Sequence, residues 1–206
     1  MSNNADIVFT RAARHEQQKR GSAKGYARKI AGGFPDRVTP ELKGFITSLD
    51  TAFLATTSAE GAPYIQHRGG PKGFIKVLDD KTLGFAGYAG NKQYITISNL
   101  AGNDRAYLFL LDFANQQRIK VWGCARVVEN DPALMEKLVD PGYRARAERA
   151  ILFTIEAWDV NCSQHITERY TQEEISGAVA GLRDRISELE AENQRLRSAQ
   201  AIAVAQ

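Results

Sequence analysis

Two glycine-rich segments carry the residues best suited to hold an anion. The first is Gln66-His67-Arg68-Gly69-Gly70-Pro71-Lys72-Gly73, and the second covers 84–92. Because glycine has no Cβ, backbone amides in such segments can approach an anion closely, and Arg68, Lys72 and Lys92 supply the opposite charge. A phosphate group would suit both segments. Two flexible loops with solvated cations are an equally good interpretation of composition alone.

Neither segment matches a nucleotide-binding motif. Gly90-Asn91-Lys92-Gln93 lacks the Gly-Lys-Ser/Thr ending of a P-loop, and no G-x-G-x-x-G fingerprint follows a predicted strand. Lys92 nevertheless precedes a predicted helix over 93–100, where free N–H groups and the helix dipole would favour an anion. The pattern is therefore compatible with a bound phosphate group, but it gives little support to ATP or to a dinucleotide as the ligand.

Cysteine and histidine do not predict a metal site. Cys162-x-x-His165 could form half of one, but a tetrahedral site needs about four ligands, and the other candidates are Cys124, His15 and His67. We expect no metal. His165 follows a long predicted strand and is interpreted first as a packed residue. The second interpretation places it in a cofactor cleft, where it could donate a proton.

The elements that must position these residues are mostly strands. Apolar and β-branched patterns predict strands at 53–57, 64–67, 74–78, 82–86, 105–113, 118–129 and 151–161. Helices are predicted at 11–19, after Thr39-Pro40-Glu41, and at 132–139. Gly21, Gly25, Gly32 and Gly33 are expected to break regular structure between the first two helices. Short strands joined by tight turns favour an antiparallel barrel over βαβ repeats.

Three regions are predicted along the 206 residues: a basic arm over 1–38, a barrel domain over 39–170 and a helix over 171–206. The first 47 residues hold nine basic and four acidic side chains, whereas the whole chain has a net charge of only +3. That small surplus does not call for nucleic acid. With two cysteines and no apolar run near about 20 residues, we expect a cytoplasmic protein with reduced thiols and no membrane contact.

The last predicted helix carries a heptad pattern. Its a and d positions are occupied by Val179, Leu182, Ile186, Leu189, Asn193 and Leu196. Such a stripe could pair between subunits or lie against the barrel, and the pattern leaves both open. Asn193 favours self-pairing slightly, because a polar a position often fixes the register of a two-stranded coil.

The order of these segments resembles a known family. FLATTSAEGAPYIQHRGGPKGF, RIKVWGCARVVE and WDVNCSQHI, within about 49–169, are similar to the pyridoxamine 5′-phosphate oxidase-related family of FMN-binding split barrels, in its uncharacterised flavin-nucleotide-binding branch. The resemblance implies a mainly β fold with flanking helices: an antiparallel six-stranded split β-barrel plus a long C-terminal helix. It also implies FMN bound at the interface of a homodimer.

The resemblance assigns roles to individual residues. Arg68 and Lys72 fall in the first phosphate-binding stretch, and Asn91 and Lys92 match a later basic pair in which asparagine replaces one cation. Arg118 falls where the oxidases carry a glutamine facing the flavin, and a cation there would stabilise the reduced ring. The full set of cofactor candidates is His67, Arg68, Gly69, Lys72, Phe85, Ala86, Asn91, Lys92 and Arg118, with His165 as the catalytic candidate.

The expected function is that of an FMN-binding homodimeric oxidoreductase acting on an unidentified small substrate. Phe85 and Ala86 replace a Tyr-Thr pair of the oxidases, and their tryptophan and arginine have no match after Ile166. We therefore do not expect pyridoxamine phosphate oxidation itself. Two alternatives stay open: a non-catalytic flavin or nucleotide carrier, and an interaction protein that uses the C-terminal coil.

Overall fold

The structure is a computed structural model that describes residues 3–204, with side chains described for all of these except 178 and 202–204. The helices are α1 (Ala5–Val8), α2 (Arg11–Lys19), α3 (Ala23–Gly32), α4 (Pro40–Ser48), α5 (Ile95–Gly102), α6 (Pro132–Leu138) and α7 (Gln172–Val204). The strands are β1 (Thr51–Thr57), β2 (Pro63–Gly69), β3 (Lys76–Val77), β4 (Thr82–Tyr88), β5 (Arg105–Asp112), β6 (Gln117–Val128) and β7 (Ala147–Val160).

All described strands belong to one antiparallel sheet in the order β2-β1-β5-β6-β7-β4-β3. Side chains alternate along β1, β5 and β6, so that one face is buried and the other is partly exposed. The buried face forms the main core, to which α4 adds Leu42 and Ile46. The predicted mainly β antiparallel fold with flanking helices and a long C-terminal helix is confirmed.

The sheet has seven strands, which is the number that the strand patterns indicate and one more than the six-stranded barrel that the resemblance implies. The shortest strand is β3, which has only two residues and pairs with β4 through Lys76↔Gly84 and Val77↔Leu83. Its predicted span was 74–78, but Phe74 and Ile75 are both buried. Consecutive buried side chains do not fit the alternation of a strand with one exposed face, so regular pairing starts only after them.

Helices α2 and α4 begin directly after the threonines that cap them. In α2 the Thr10 side chain accepts from the Ala13 N–H at 3.2 Å, and in α4 Thr39 accepts from the Leu42 N–H at 3.2 Å. The predictions of α2, α4 and α6 are confirmed. Helix α3 was missed, because Gly25 and Gly32 were expected to break the chain and instead lie within it. A helical glycine costs only about 1 kcal/mol relative to alanine.

The N-terminal helices are held on β7. Asn4 Nδ2 donates to the Phe34 carbonyl at 2.7 Å and to the Glu156 carbonyl at 3.0 Å, and Ala5 and Phe34 are buried in a small cluster with Ala157. The segment predicted as an arm therefore contributes buried side chains. The predicted boundaries at 38/39 and 170/171 stay a prediction.

The chain divides into two compact units. One comprises the chain up to Asp112 together with Gln116–Ile166 and contains the sheet; the other comprises Phe113–Asn115 and Thr167–Gln206 and contains α7. In the second unit the Arg169 guanidinium lies 4.8 Å from the centre of the Phe113 ring. Within residues 3–204, no helix is both long enough and apolar enough to span a bilayer.

Candidate functional site

Strands β2 and β4 lie far apart in the sheet order, yet they line the same recess. Gln66, Arg68 and Gly69 of β2 face Ala86 and Tyr88 of β4 across it. In the described part of the chain no ladder joins these two strands. The sheet therefore curls until its two ends approach each other, which makes an open barrel with a gap between β2 and β4.

A cationic pocket lies at one end of this gap, and we call it the Arg68 pocket. Its lining comes from β2, from the loop before α5, from the first turn of α5 and from the start of β7. The cavity volume is about 80 Å³. Pockets that enclose whole organic ligands measure roughly 300–1,000 Å³. The Arg68 pocket therefore has room for a small group such as a phosphate and not for a flavin ring.

Arg68 is the central side chain of the pocket. Its Nη2 donates to Thr96 Oγ1 at 2.9 Å, and Thr96 in turn donates to Gln66 Oε1 at 2.9 Å. The Arg68 Nε is buried and has no hydrogen-bond partner. A buried donor without an acceptor is costly, typically by about 1–3 kcal/mol, and in a native protein it points to a missing partner.

The charge of Arg68 is also uncompensated. Burial lowers the pKa of the Arg68 guanidinium, Tyr64 opposes that change, and the positive charge of Arg149 adds to it. No described carboxylate forms an ion pair with Arg68. An anion in the pocket would both neutralise this charge and accept from the unpartnered Nε.

The N-terminus of α5 opens into the same pocket. Helix α5 begins at Ile95, two residues later than predicted, because Lys92 (φ 57°) and Tyr94 (φ 56°) adopt the left-handed conformation. No side chain caps this helix. The first N–H groups of a helix have no intrahelical acceptor and bind anions. Asn91 and Lys92, both exposed, line the pocket beside them.

Arg149 is a further cation of the pocket, after Arg68 and Lys92, and its charge is paired. Its guanidinium bonds to Glu129 at 3.2 Å and to Glu148 at 3.1 Å, and it lies 5.6 Å from the centre of the Tyr94 ring. A Cβ added at Gly87 would lie 3.0 Å from the Arg149 Cγ. Glycine at this position therefore lets the arginine pass close to β4.

The second recess has a cavity volume of about 160 Å³ and shares Gln66, Arg68 and Tyr88 with the Arg68 pocket. It brings together four of the predicted cofactor residues: His67, Arg68, Gly69 and Ala86. A Cβ added at Gly69 would lie 2.9 Å from the His67 ring. His67 and Gly69 are therefore in direct contact.

His67 and Arg68 point to opposite faces of the sheet. Residues directly opposite each other in an antiparallel ladder share a face. Arg68 pairs with Ala52, which is fully buried, and so points towards the barrel interior. His67 pairs with Phe53, and their rings meet edge to face at 5.7 Å on the outside.

Arg118 lies on that outside as well. It pairs with Leu111, whereas its neighbour Ile119 is buried opposite Leu110. The Arg118 Nε and Nη2 donate to the side-chain oxygen of Asn161 at 2.8 and 3.1 Å. Within one chain, Arg118 and Arg68 therefore project from opposite faces and do not share a pocket.

Three further predicted residues lie outside both recesses. Phe85 is fully buried in the main core, 6.3 Å from Phe74 ring to ring, because β4 is covered on both faces. Lys72 is exposed on the loop before β3. His165, expected to be packed, is instead exposed with φ 65°. Among the described residues no cluster of three metal-ligating side chains occurs.

Sequence reasoning missed several lining residues of the Arg68 pocket, namely Tyr64, Gln66, Thr96 and Arg149. A signal existed for two of them. Tyr64 and Gln66 precede Arg68 at intervals of two in a predicted strand, so all three share one face. Thr96 and Arg149 had no such signal, because their position depends on how β7 and α5 pack.

The structure is therefore an open antiparallel barrel with a cationic pocket at the gap between β2 and β4, which places it in the class of ligand-binding barrels. Residues 38–190 match the family model described as pyridoxamine 5′-phosphate oxidase, and the chain belongs to that family. No curated protein sequence matches the chain significantly.

Several solved structures are similar to this chain. A putative pyridoxamine 5′-phosphate oxidase from Lactobacillus delbrueckii is 20% identical, with a TM-score of 0.47, over 61% of this chain and 95% of that one. An FMN-binding protein from Syntrophomonas wolfei is 13% identical, with a TM-score of 0.45, over 71% and 96%. HupZ of Group A Streptococcus is 16% identical, with a TM-score of 0.47, over 65% and 99%.

Proposed function

We propose that this protein is an FMN-binding homodimeric flavoprotein, a cytoplasmic oxidoreductase acting on an unidentified small substrate. One observation carries the proposal: Arg68 holds a half-buried, unpaired positive charge and a buried, unpartnered Nε in a pocket the size of a phosphate. A phosphate monoester supplies the negative charge and the acceptor oxygens that this pocket lacks.

The residues present fit the phosphate end of FMN. Arg68 would donate from Nε, Lys92 would add a second positive charge, and the free N–H groups in the first turn of α5 would complete the binding site. Thr96, which bonds to both Arg68 and Gln66, orients the guanidinium. When bound, FMN would supply the electron and hydride transfer that side chains cannot perform.

The flavin ring is too large for the Arg68 pocket, which supports a site completed by a second chain. The outer face of the sheet carries four half-buried aromatic side chains, Phe53, Tyr107, Phe109 and Trp122, and the exposed Ile65. Apolar side chains grouped on a sheet face are typical of an interface. A dimer built on this face would bring Arg118 to the interface, where a cation favours the reduced, anionic flavin.

A carrier without turnover is the second candidate. The observation that favours it is the position of His165, which is exposed and lines neither recess. None of the described residues that line the Arg68 pocket is a histidine or a cysteine. Reduction of the bound flavin by NADH or NADPH, followed by reoxidation by a small acceptor, would support the enzyme over the carrier.

Flavin binding tests the proposal directly. Affinities for FMN and riboflavin are measured by quenching of flavin fluorescence, with Lys92→Met as the variant and Lys43→Met, an exposed lysine on α4, as the matched control. We expect FMN to bind at least about tenfold tighter than riboflavin, with that ratio reduced in Lys92→Met and unchanged in Lys43→Met. Equal affinities for the two flavins in the wild type would contradict the phosphate assignment.

A further inference from the structure

Helix α7 exposes a continuous apolar stripe. It has 33 residues and would be about 50 Å long. Five large apolar side chains on it are between 46% and 65% exposed: Ile175, Leu182, Ile186, Leu189 and Leu196. Isolated scattered apolar residues are normal on a surface, but a stripe along a helix indicates a partner.

The spacing of the stripe specifies what kind of partner fits. Its residues recur at alternating intervals of four and three, which is the heptad repeat of a coiled coil. Val179 and Ile186 occupy a positions, and Leu182, Leu189 and Leu196 occupy d positions. β-Branched residues at a with leucine at d favour two parallel strands.

We propose that α7 pairs with α7 of a second copy of this chain as a parallel, in-register, two-stranded coiled coil. This proposal does not depend on the proposed flavin site.

Asn193 sets direction and register. It occupies the a position between Leu189 and Leu196, where the amide would be enclosed by apolar side chains. In a parallel, in-register pair it meets Asn193 of the partner subunit, and the two amides bond to each other. An antiparallel pair centred on the stripe, or a shift by one heptad towards the N-terminus, would place it against an apolar residue instead, with an unsatisfied polar group.

The flanking charges favour the same arrangement. In a parallel dimer a g residue faces the e residue five positions later on the other helix. Glu192 would face Arg197 of the partner subunit, and Arg185 would face Glu190 of the partner subunit. Each pair occurs twice by symmetry, and all four are attractive. A second copy therefore fits the edges of the stripe as well as its centre.

The remainder of α7 shows that the helix needs this partner. Gly177 and Gly181 lie away from the stripe, and an added Cβ at either would meet nothing within 4 Å. Each glycine weakens an isolated helix by about 1 kcal/mol, and packing of an amphipathic face is what stabilises most protein helices.

Disulfide crosslinking in the full chain tests direction and register. In a background with Cys124→Ala and Cys162→Ser, cysteine is introduced as Leu196→Cys or, more mildly, as Gln200→Cys, at the a position one heptad after Asn193. Ser198→Cys, on the opposite side of the helix, is the matched control. We expect mild oxidation to link most chains through position 196 or 200 and at most a few per cent through position 198. An antiparallel pair would hold both positions 196 and 200 far from their copies.

Charge exchange gives an independent readout. Glu192→Arg and Arg197→Glu each convert two attractions into repulsions and should each slow crosslinking at position 200 about fivefold, whereas the double exchange should restore it. Arg185 is avoided because it already bonds to Glu188 of its own helix at 2.8 Å. The proposal would be overturned by any of three results. Crosslinking could be equal at positions 198 and 200, it could be absent at both 196 and 200, or the double variant could crosslink no faster than the single variants.

Discussion

Replacing Arg68 with methionine should stabilise the ligand-free protein while weakening FMN binding. The guanidinium makes one hydrogen bond, to Thr96 Oγ1 at 2.9 Å, and leaves its buried Nε unsatisfied. Methionine is also unbranched and ends near the position of the Arg68 Nε, carries no polar hydrogen and removes the unpaired charge. Thr96 is not orphaned by the change, because its hydroxyl still donates to Gln66.

The magnitudes follow from these contacts. Loss of the hydrogen bond from the charged guanidinium to Thr96 destabilises the protein by about 1.5–3 kcal/mol. Removal of the buried, unsatisfied Nε and of the unpaired charge stabilises it by at least about as much. We expect the free energy of unfolding without ligand to rise by about 0–2 kcal/mol, which raises Tm by up to about 6 °C. FMN affinity should fall about ten- to a hundredfold, because a charge-assisted phosphate contact is lost.

Thermal unfolding with and without FMN measures both effects. At a concentration of about 100 times the wild-type Kd, FMN stabilises the wild type by about 2.7 kcal/mol, and a thirtyfold weaker variant by only about 1 kcal/mol. Arg126→Met, an exposed arginine on β6, is the control and should change neither value. If Arg68→Met lowered Tm without ligand by more than about 4 °C, or kept the full shift with FMN, the reasoning would be refuted.

Three further predictions concern other parts of the chain. Arg118→Met should lower the flavin midpoint potential by about 30 mV or more with little change in FMN affinity, and an unchanged potential in spectroelectrochemical titration would remove Arg118 from the site. Burial raises the pKa of Tyr107 to about 12. Since unfolded tyrosine ionises near pH 10, the free energy of unfolding should fall from pH 10 to 12, and urea titrations should show a smaller fall in Tyr107→Phe. Deleting everything after Thr171 should leave an FMN-binding dimer in sedimentation, because the pocket and the outer face belong to the other unit; a monomer would contradict this.

Local signals in the sequence predicted the local structure well. Thr10 and Thr39 each cap the helix that follows them, as their side chains and positions indicate, and the structure adds Asp131 as the cap of α6. The strands were predicted because apolar and β-branched residues are concentrated in them. The start of α5 was predicted two residues too early, because Lys92 and Tyr94 adopt the left-handed conformation, which side-chain type alone does not predict.

The candidate site was harder to predict because it depends on faces and edges. Arg68 and His67 are adjacent in sequence, but only their strand partners Ala52 and Phe53 show which one points inward. Phe85 is buried for a similar reason. It faces the main core, while α6 covers the opposite face of β4, where Ala86 packs with Leu138. A one-dimensional pattern does not show that both faces of a strand are covered.

The division between inner and outer faces also links flavin binding to self-association. The Arg68 pocket has the size and charge for a phosphate, whereas the ring must lie beyond it, and the remaining candidates His67 and Arg118 face outward. If a second chain supplies the surface for the ring, the dimer binds FMN more tightly than the monomer. Linkage then requires that each bound FMN strengthen the dimer by the same factor, so the two equilibria rise and fall together.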